Sequence, residues 1–234
     1  MSHPQLDIII LISGRGSNMA AIHAACDDGR LPARIAAVIA DRPEAAGLEL
    51  ARSLAIPAYL VSFRDHARRA DFDAALTRQI DACTAGPARS LIVLAGFMRI
   101  LEPEFVGRYQ GRMLNIHPSL LPAFWGLHTH RRALADGAAW HGASVHFVSV
   151  DLDGGPVIAQ VRVPVLPGDT ETSLSARVQR GEHRLYWRVL AWMAQNRLSL
   201  TPAGVQLDGA PLRRPVVWQL PAQDTDGDLI DVAN

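Results

Sequence analysis

Four short, almost uninterrupted aliphatic runs pass through the first half of the chain, at residues 6–12 (LDIIILI), 34–40 (RIAAVIA), 58–61 (AYLV) and 91–95 (LIVLA). A strand with one wet face alternates apolar and polar residues; runs this continuous read as strands buried on both faces. Residues 19–28, 44–54 and 68–82 between them carry apolar positions at helical spacing. Strands alternating with helices of this length imply crossover units and a parallel sheet, hence an α/β protein.

The second half changes character. A short helix at 104–109 and a strand at 113–116 precede a proline-rich loop at 117–124 and a helix at 130–136. Residues 143–149 and 157–165 are valine-rich and alternate, so they read as neighbouring strands about the turn Asp153-Gly154-Gly155. A helix start at 169–172 leads into one long helix, 174–196. The tail carries a hairpin signal, Asp208-Gly209 between 205–207 and 210–212, and beyond Pro221 it is acidic and expected to fray. With no repeat and no linker, one mixed sheet built from two halves is the simplest architecture. That sheet is mostly parallel, with helices on both faces and an antiparallel extension in the C-terminal half.

Charge and cysteine content remove several function classes. Twenty-three basic residues balance twenty-three acidic ones, so no global field draws the chain to nucleic acid or to an anionic membrane. Every basic residue is arginine, which excludes a Schiff-base lysine and the phosphate-binding lysine of a P-loop. Cys26 and Cys83 have no metal spacing and read as small buried apolar residues. The N-terminus lacks a secretory pattern, and residues 6–12 are far too few to cross a bilayer, so a cytoplasmic protein is expected.

Two clusters carry chemistry. Ser13-Gly14-Arg15-Gly16-Ser17-Asn18 joins the first strand to the first helix, where glycines permit a tight turn and helix amides attract an anion. The same turn also reads as a simple helix cap. Asp41, after the second strand, stands where a dinucleotide-binding acid would, but the third fingerprint glycine is missing. In the second cluster, Asn115 and His117 lie two apart at the end of a strand and so face one side, with Asp153 on a glycine-flexed loop downstream. An amide donor, an imidazole and a carboxylate suit acyl transfer to an amine: oxyanion stabilisation, proton movement and orientation of the imidazole. His128, His130, His141 and His146 crowd the same stretch, but without a cysteine or an HExxH helix no metal is expected.

The strings LISGRGSN (11–18), LAGFMRIL (94–101), NIHPSLLP (115–122), GLHTH (126–130), HGASVHFV (141–148), LDGGPVIAQ (152–160) and RVQRGEH (177–183) together resemble the phosphoribosylglycinamide formyltransferase family, over residues 6 to about 200. The resemblance implies a Rossmann-like formyltransferase fold. It assigns 1–200 to the catalytic domain, with a phosphate-binding half at 1–100 and a catalytic and folate half at 101–200, leaving 201–234 as hairpin and tail. It implies transfer of the formyl group of 10-formyltetrahydrofolate, as co-substrate, to the amine of glycinamide ribonucleotide. Asn115, His117 and Asp153 match the catalytic positions. Gly16, Ser17, Asn18, Gln179 and Glu182 match the ribonucleotide site. Met98, Arg99, Ile100, Leu101, Ser149, Val150, Asp151 and Leu152 match the folate side, with Arg69 in a looser register. The partners implied are small molecules, in a monomer or homodimer. Residues 83–90 are longer than usual for the family, and Trp125 and Trp187 stand where prolines are common. A formyltetrahydrofolate hydrolase and a non-catalytic folate- or nucleotide-binding relative remain as alternatives.

Overall fold

A computed structural model describes residues 6–84, 90–221 and 228–232. Most of the lengthened 83–90 segment, at 85–89, and residues 222–227 of the acidic tail fall outside the described residues. The strands of the first half are β1 (Leu6–Ile12), β2 (Ala33–Ala40), β3 (Ala58–Leu60) and β4 (Ser90–Leu94), with helices α1 (Ser17–Asp27), α2 (Gly47–Ser53) and α3 (Arg69–Cys83) between them. Then come α4 (Pro103–Arg108), β5 (Met113–His117), α5 (Thr129–Ala135), β6 (Trp140–Phe147), β7 (Val157–Pro164) and α6 (Glu171–Ala194). The last strands are β8 (Leu198–Thr201), β9 (Gly204–Leu207), β10 (Ala210–Pro211), β11 (Val216–Gln219) and β12 (Ile230–Asp231).

Nine strands form one sheet in the order β12-β11-β7-β6-β5-β4-β1-β2-β3. Pairings from β3 through β5 are parallel, as is β7 with β11, whereas β5–β6, β6–β7 and β11–β12 are antiparallel. The alternation along β1 shows why its sequence is apolar throughout. Ile8, Ile10 and Ile12 pack under α1, α2 and α6, while Ile9 and Leu11 face α3 and α4. Each is completely buried, which stabilises the fold by about 2 kcal/mol per side chain.

β1 has β2 on one side and β4 on the other, so successive crossovers leave it in opposite directions. In open α/β sheets that reversal opens a crevice at the carboxyl ends of the strands. Ser13 and Gly96, which follow β1 and β4, meet there: the Ser13 amide donates to the Gly96 carbonyl at 3.0 Å. From above, α6 secures the same rim through Tyr186, whose hydroxyl lies 3.0 Å from the carbonyl oxygens of both Leu94 and Leu114.

Three expectations need correction. The strand expected at 143–149 starts earlier, at Trp140, and stops at Phe147, where the Gly155 loop folds back against the Phe147 carbonyl; the Val148 amide still donates to Met113 O at 2.9 Å. The single sheet has a companion, since the expected hairpin (β9–β10) recruits β8 into a small antiparallel sheet. The tail beyond Pro221 is not wholly frayed: β11 lies parallel to β7, and Ile230–Asp231 pairs back onto Trp218 and Gln219. Trp218 stacks against Trp192 of α6 at 5.5 Å, Arg162 bonds Gln219, and Asp228 pairs with Arg188, so the segment has apolar cover and charge partners.

Candidate active site

The glycine turn sits at the N-terminus of α1. Gly16 adopts φ 78° as the residue before the helix, and α2 approaches so closely that a Cβ on Gly16 would lie 3.0 Å from Gly47 Cα. Helix α6 supplies the facing wall: Gln179 Nε2 donates to Ser17 Oγ (3.1 Å), and Asn18 Nδ2 donates to Glu182 Oε2 (2.8 Å). Gly16, Ser17, Asn18, Gln179 and Glu182 are therefore one cluster, drawn from opposite ends of the chain. Burial pushes the Glu182 carboxyl above the usual carboxylate range, with the Asn18 hydrogen bond opposing it. Asn18 Oδ1 is buried with no partner.

Leu11, Leu94 and Asn115 lie side by side on β1, β4 and β5. Strands are about 4.8 Å apart, so the glycine turn and Asn115 stand two strands, roughly 10 Å, from each other along the same rim. At β5 the antiparallel register sets Asn115 opposite His146 of β6. His146 Nδ1 faces its neighbour's carbonyl, Phe147 O, at 3.0 Å, so Nδ1 carries the hydrogen. Nε2 is then an acceptor, and the Asn115 amide nitrogen, 3.0 Å away, donates to it. Burial, its largest influence, holds the His146 imidazole below its ordinary value and favours this neutral form. One Asn115 hydrogen is thereby fixed, and the other is aimed elsewhere. Spacing grouped His146 only with the other histidines of this stretch; the β5–β6 register is what sets it against Asn115.

Asp153 has φ 52° and closes the group. Its Oδ2 accepts from the Gly126 amide (2.9 Å) and lies 3.4 Å from His117 Nδ1, and its Oδ1 is 3.9 Å from His146 Nε2. His117 Nε2 faces the Phe124 carbonyl at 3.2 Å, which can only accept, so Nε2 carries a hydrogen. A further proton on Nδ1 turns the contact with Asp153 into an imidazolium–carboxylate pair. The loop bearing Phe124 is tied to the strands beneath it by buried side chains. Ser144 Oγ donates to Ser119 O (2.7 Å) and accepts from Leu121 N (3.0 Å) and Gln160 Nε2 (2.8 Å).

An open cleft adjoins this cluster. Asn115, His146 and Asp153 line it, together with Arg99, Ile100, Leu101, Ser149, Val150, Asp151 and Leu152. His117 is one contact removed, joined through Asp153. Met98 stays at the rim, its side chain exposed and its amide bonded to Ser13 Oγ (2.8 Å). Arg69 pairs with Glu102 at 3.6 Å and does not reach the cleft wall. Trp125 is 59% exposed, its carbonyl accepting from Arg132, while Trp187 is clasped between the Arg30 and Arg188 guanidinium groups.

Two predictions arise from this geometry. A Cβ on Gly155 would lie 1.8 Å from the Phe147 carbonyl oxygen, so Gly155→Ala must displace the loop that carries Asp153. It destabilises the protein by roughly 3 kcal/mol and depresses turnover further; urea unfolding and an activity assay at wild-type behaviour would refute the contact. Nearby, His130 Nδ1 meets His141 Nε2 at 3.1 Å, and burial holds the His141 imidazole down to about 4. Unfolded, it titrates near 6.5. Between those values the unfolded chain binds a proton the native state refuses, so stability falls as pH drops from about 6.5 to about 4, by roughly 3 kcal/mol for this group. Burial lowers His130, His146 and His183 in the same sense. Urea midpoints should fall from pH 7.5 to pH 5, and His141→Gln should flatten the decline; an unaltered slope in that variant removes His141 as the cause.

The formyl transferase family model matches residues 6–190. The phosphoribosylglycinamide formyltransferase of Escherichia coli K12 is 47% identical over 207 residues, covering 88% of this chain and 96% of that one. Among solved structures, the phosphoribosylglycinamide formyltransferase of Coxiella burnetii in complex with CHES superposes with a TM-score of 0.84 at 47% identity, over 89% of this chain and 96% of the other. The human trifunctional purine biosynthetic protein adenosine-3 is 38% identical over 197 residues, which cover 84% of this chain and 19% of that protein.

Proposed function

The chain belongs to the formyl transferase family, and from that premise we propose that its cleft moves the formyl group of 10-formyltetrahydrofolate onto the amine of glycinamide ribonucleotide, a step of purine biosynthesis. The observation that carries this reading is the position of Asn115, oriented by His146, on the wall of the cleft and two strands from the glycine turn that opens α1. The ribonucleotide phosphate takes the amides of the turn Gly16-Ser17-Asn18, where the α1 dipole favours an anion. Gln179 and Glu182 hold the ribosyl side, and the folate enters between residues 98–101 and 149–152.

The substrate amine attacks the formyl carbon directly. Its lone pair forms the new C–N bond, and the carbonyl π electrons move onto oxygen. The hydrogen of Asn115 not given to His146 stabilises that oxyanion; such a donor is worth about 3 kcal/mol. Collapse breaks the bond from carbon to the folate nitrogen, whose electron pair takes up one proton, and the attacking amine gives one up. Asp153 meets the reacting atoms and His117 stands behind it, so the pair can take the first proton and return it to the leaving nitrogen. The halves 1–100, for phosphate, and 101–200, for catalysis and folate, interleave in this scheme, since Gln179 and Glu182 serve the ribonucleotide and residues 98–100 the folate.

The test is turnover with two tubes. 10-Formyltetrahydrofolate is consumed when glycinamide ribonucleotide is present and persists when it is absent. Consumption in both tubes identifies a hydrolase, and consumption in neither a binding protein.

A further inference from the structure

Phe97, Arg99, Ile100 and Leu101 line one wall of the cleft, yet residues 97–102 make no helix or strand of their own. Their shape is imposed from outside by three side chains on other elements. Ser13 Oγ, after β1, accepts the Met98 amide at 2.8 Å. Asp73 of α3 accepts the Glu102 amide at 2.7 Å. Between these anchors, Arg99 Nε donates to Asp41 Oδ2, and its guanidinium lies over the Phe63 ring, 4.2 Å from the centroid.

Asp41 is an unusual anchor. Its side chain is wholly buried at the carboxyl end of β2, with its amide bonded to Ile12 O and its carbonyl accepting from Phe63 N. A buried carboxylate is costly unless charge and hydrogen bonds compensate it. Arg99 supplies the hydrogen bond to Oδ2, and Arg42 Nε stands 3.5 Å from Oδ1, too far for one; both Oδ1 and Arg42 Nε lack a partner. In a dinucleotide-binding protein an acid at this position faces a ribose. Here it faces the chain's own loop.

We propose that Asp41 is a positioning residue for the folate side of the cleft: through Arg99 it fixes the wall formed by Ile100 and Leu101, and it thereby sets affinity for the formyl donor but not for the ribonucleotide. This rests on the functional reading above. It also gives Arg99 a different part from that of a direct ligand, since its guanidinium is committed to Asp41 and Phe63. The ribonucleotide cluster is held by α1 and α6 and takes nothing from this anchor.

The variants are Asp41→Asn, Arg99→Met and the two together. Each single change should raise KM for 10-formyltetrahydrofolate about tenfold and leave KM for glycinamide ribonucleotide within about twofold, and Asp41→Asn should leave kcat nearly unaltered. The double variant should be no worse than the poorer single one, because both changes cut the same tie. If a single variant fails to fold, the double variant, which leaves neither Asp41 nor Arg99 charged and unpaired, carries the test. A donor KM that is unchanged or lowered in folded Asp41→Asn overturns the inference, as do equal rises for both substrates or additive losses in the double variant. Tetrahydrofolate binding, followed by tryptophan fluorescence, separates this from failure of the functional reading. A wild-type protein without transferase activity ends that reading, whereas a Kd unaltered by Asp41→Asn ends this one.

Discussion

Replacing Asn115 by alanine should lower kcat at least ~100-fold with the fold intact. Among the described residues the side chain bonds only His146, so its removal leaves one buried acceptor unpaired, a cost of about 1–3 kcal/mol that a 234-residue protein tolerates. The catalytic loss is of another kind. In the proposed mechanism the free amide hydrogen stabilises charge that exists only in the transition state, so its removal should lower kcat and kcat/KM together and leave KM for both substrates near wild type. A loss expressed mainly as raised KM would mean that Asn115 holds a ground-state carbonyl and does not stabilise an oxyanion. Replacement of His117 by alanine should cost a comparable factor through the proton path. Stopped-flow or steady-state rates beside an unchanged circular dichroism spectrum decide both.

Asp153→Asn should be impaired by at least ~100-fold as well, for a more instructive reason. The carboxylate accepts from Gly126 N and faces His117 Nδ1 with the same oxygen, Oδ2. An amide can present its oxygen there and keep the loop in place, but it carries no negative charge and cannot itself take up a proton. The variant should therefore fold, bind both substrates and show a pH–rate profile of altered shape. Because His117 acts through Asp153, the variant lacking both groups should be scarcely slower than either single one. An active Asp153→Asn enzyme with the wild-type profile would remove the carboxylate from the mechanism.

Much of this was readable in the chain, and the boundary of legibility is physical. The strands β1, β2 and β4 declared themselves because burial on both faces leaves little room for polar residues, whereas β3 was expected to be buried and is an edge strand with Tyr59 and Leu60 exposed. Asn115 and His117 showed because the strand period places i and i+2 together. Asp153 was visible through its glycine-rich turn, although only the fold brings it to His117. His146 was not legible as a working residue, since its importance lies in standing opposite Asn115, a fact of register between two strands. Asp41 was noticed for the wrong partner: the end of β2 is where a ribose would be expected, and nothing local announces Arg99, 58 positions away. The C-terminal strands escaped for a related reason. Val216 to Gln219 sit at intermediate burial, too short to show a period, and their partner β7 lies more than fifty residues back.

That late strand has a consequence for life at high concentration. Without β11, the eight-residue β7, nearly all apolar, would be outermost and would offer its free backbone groups to any extended peptide. With β11 and β12 in place, the last position is held by two residues, one of them Asp231, and the far margin is held by the three residues of β3. Among the described residues the outermost strand at each margin is short, which limits the template a foreign chain could zip onto.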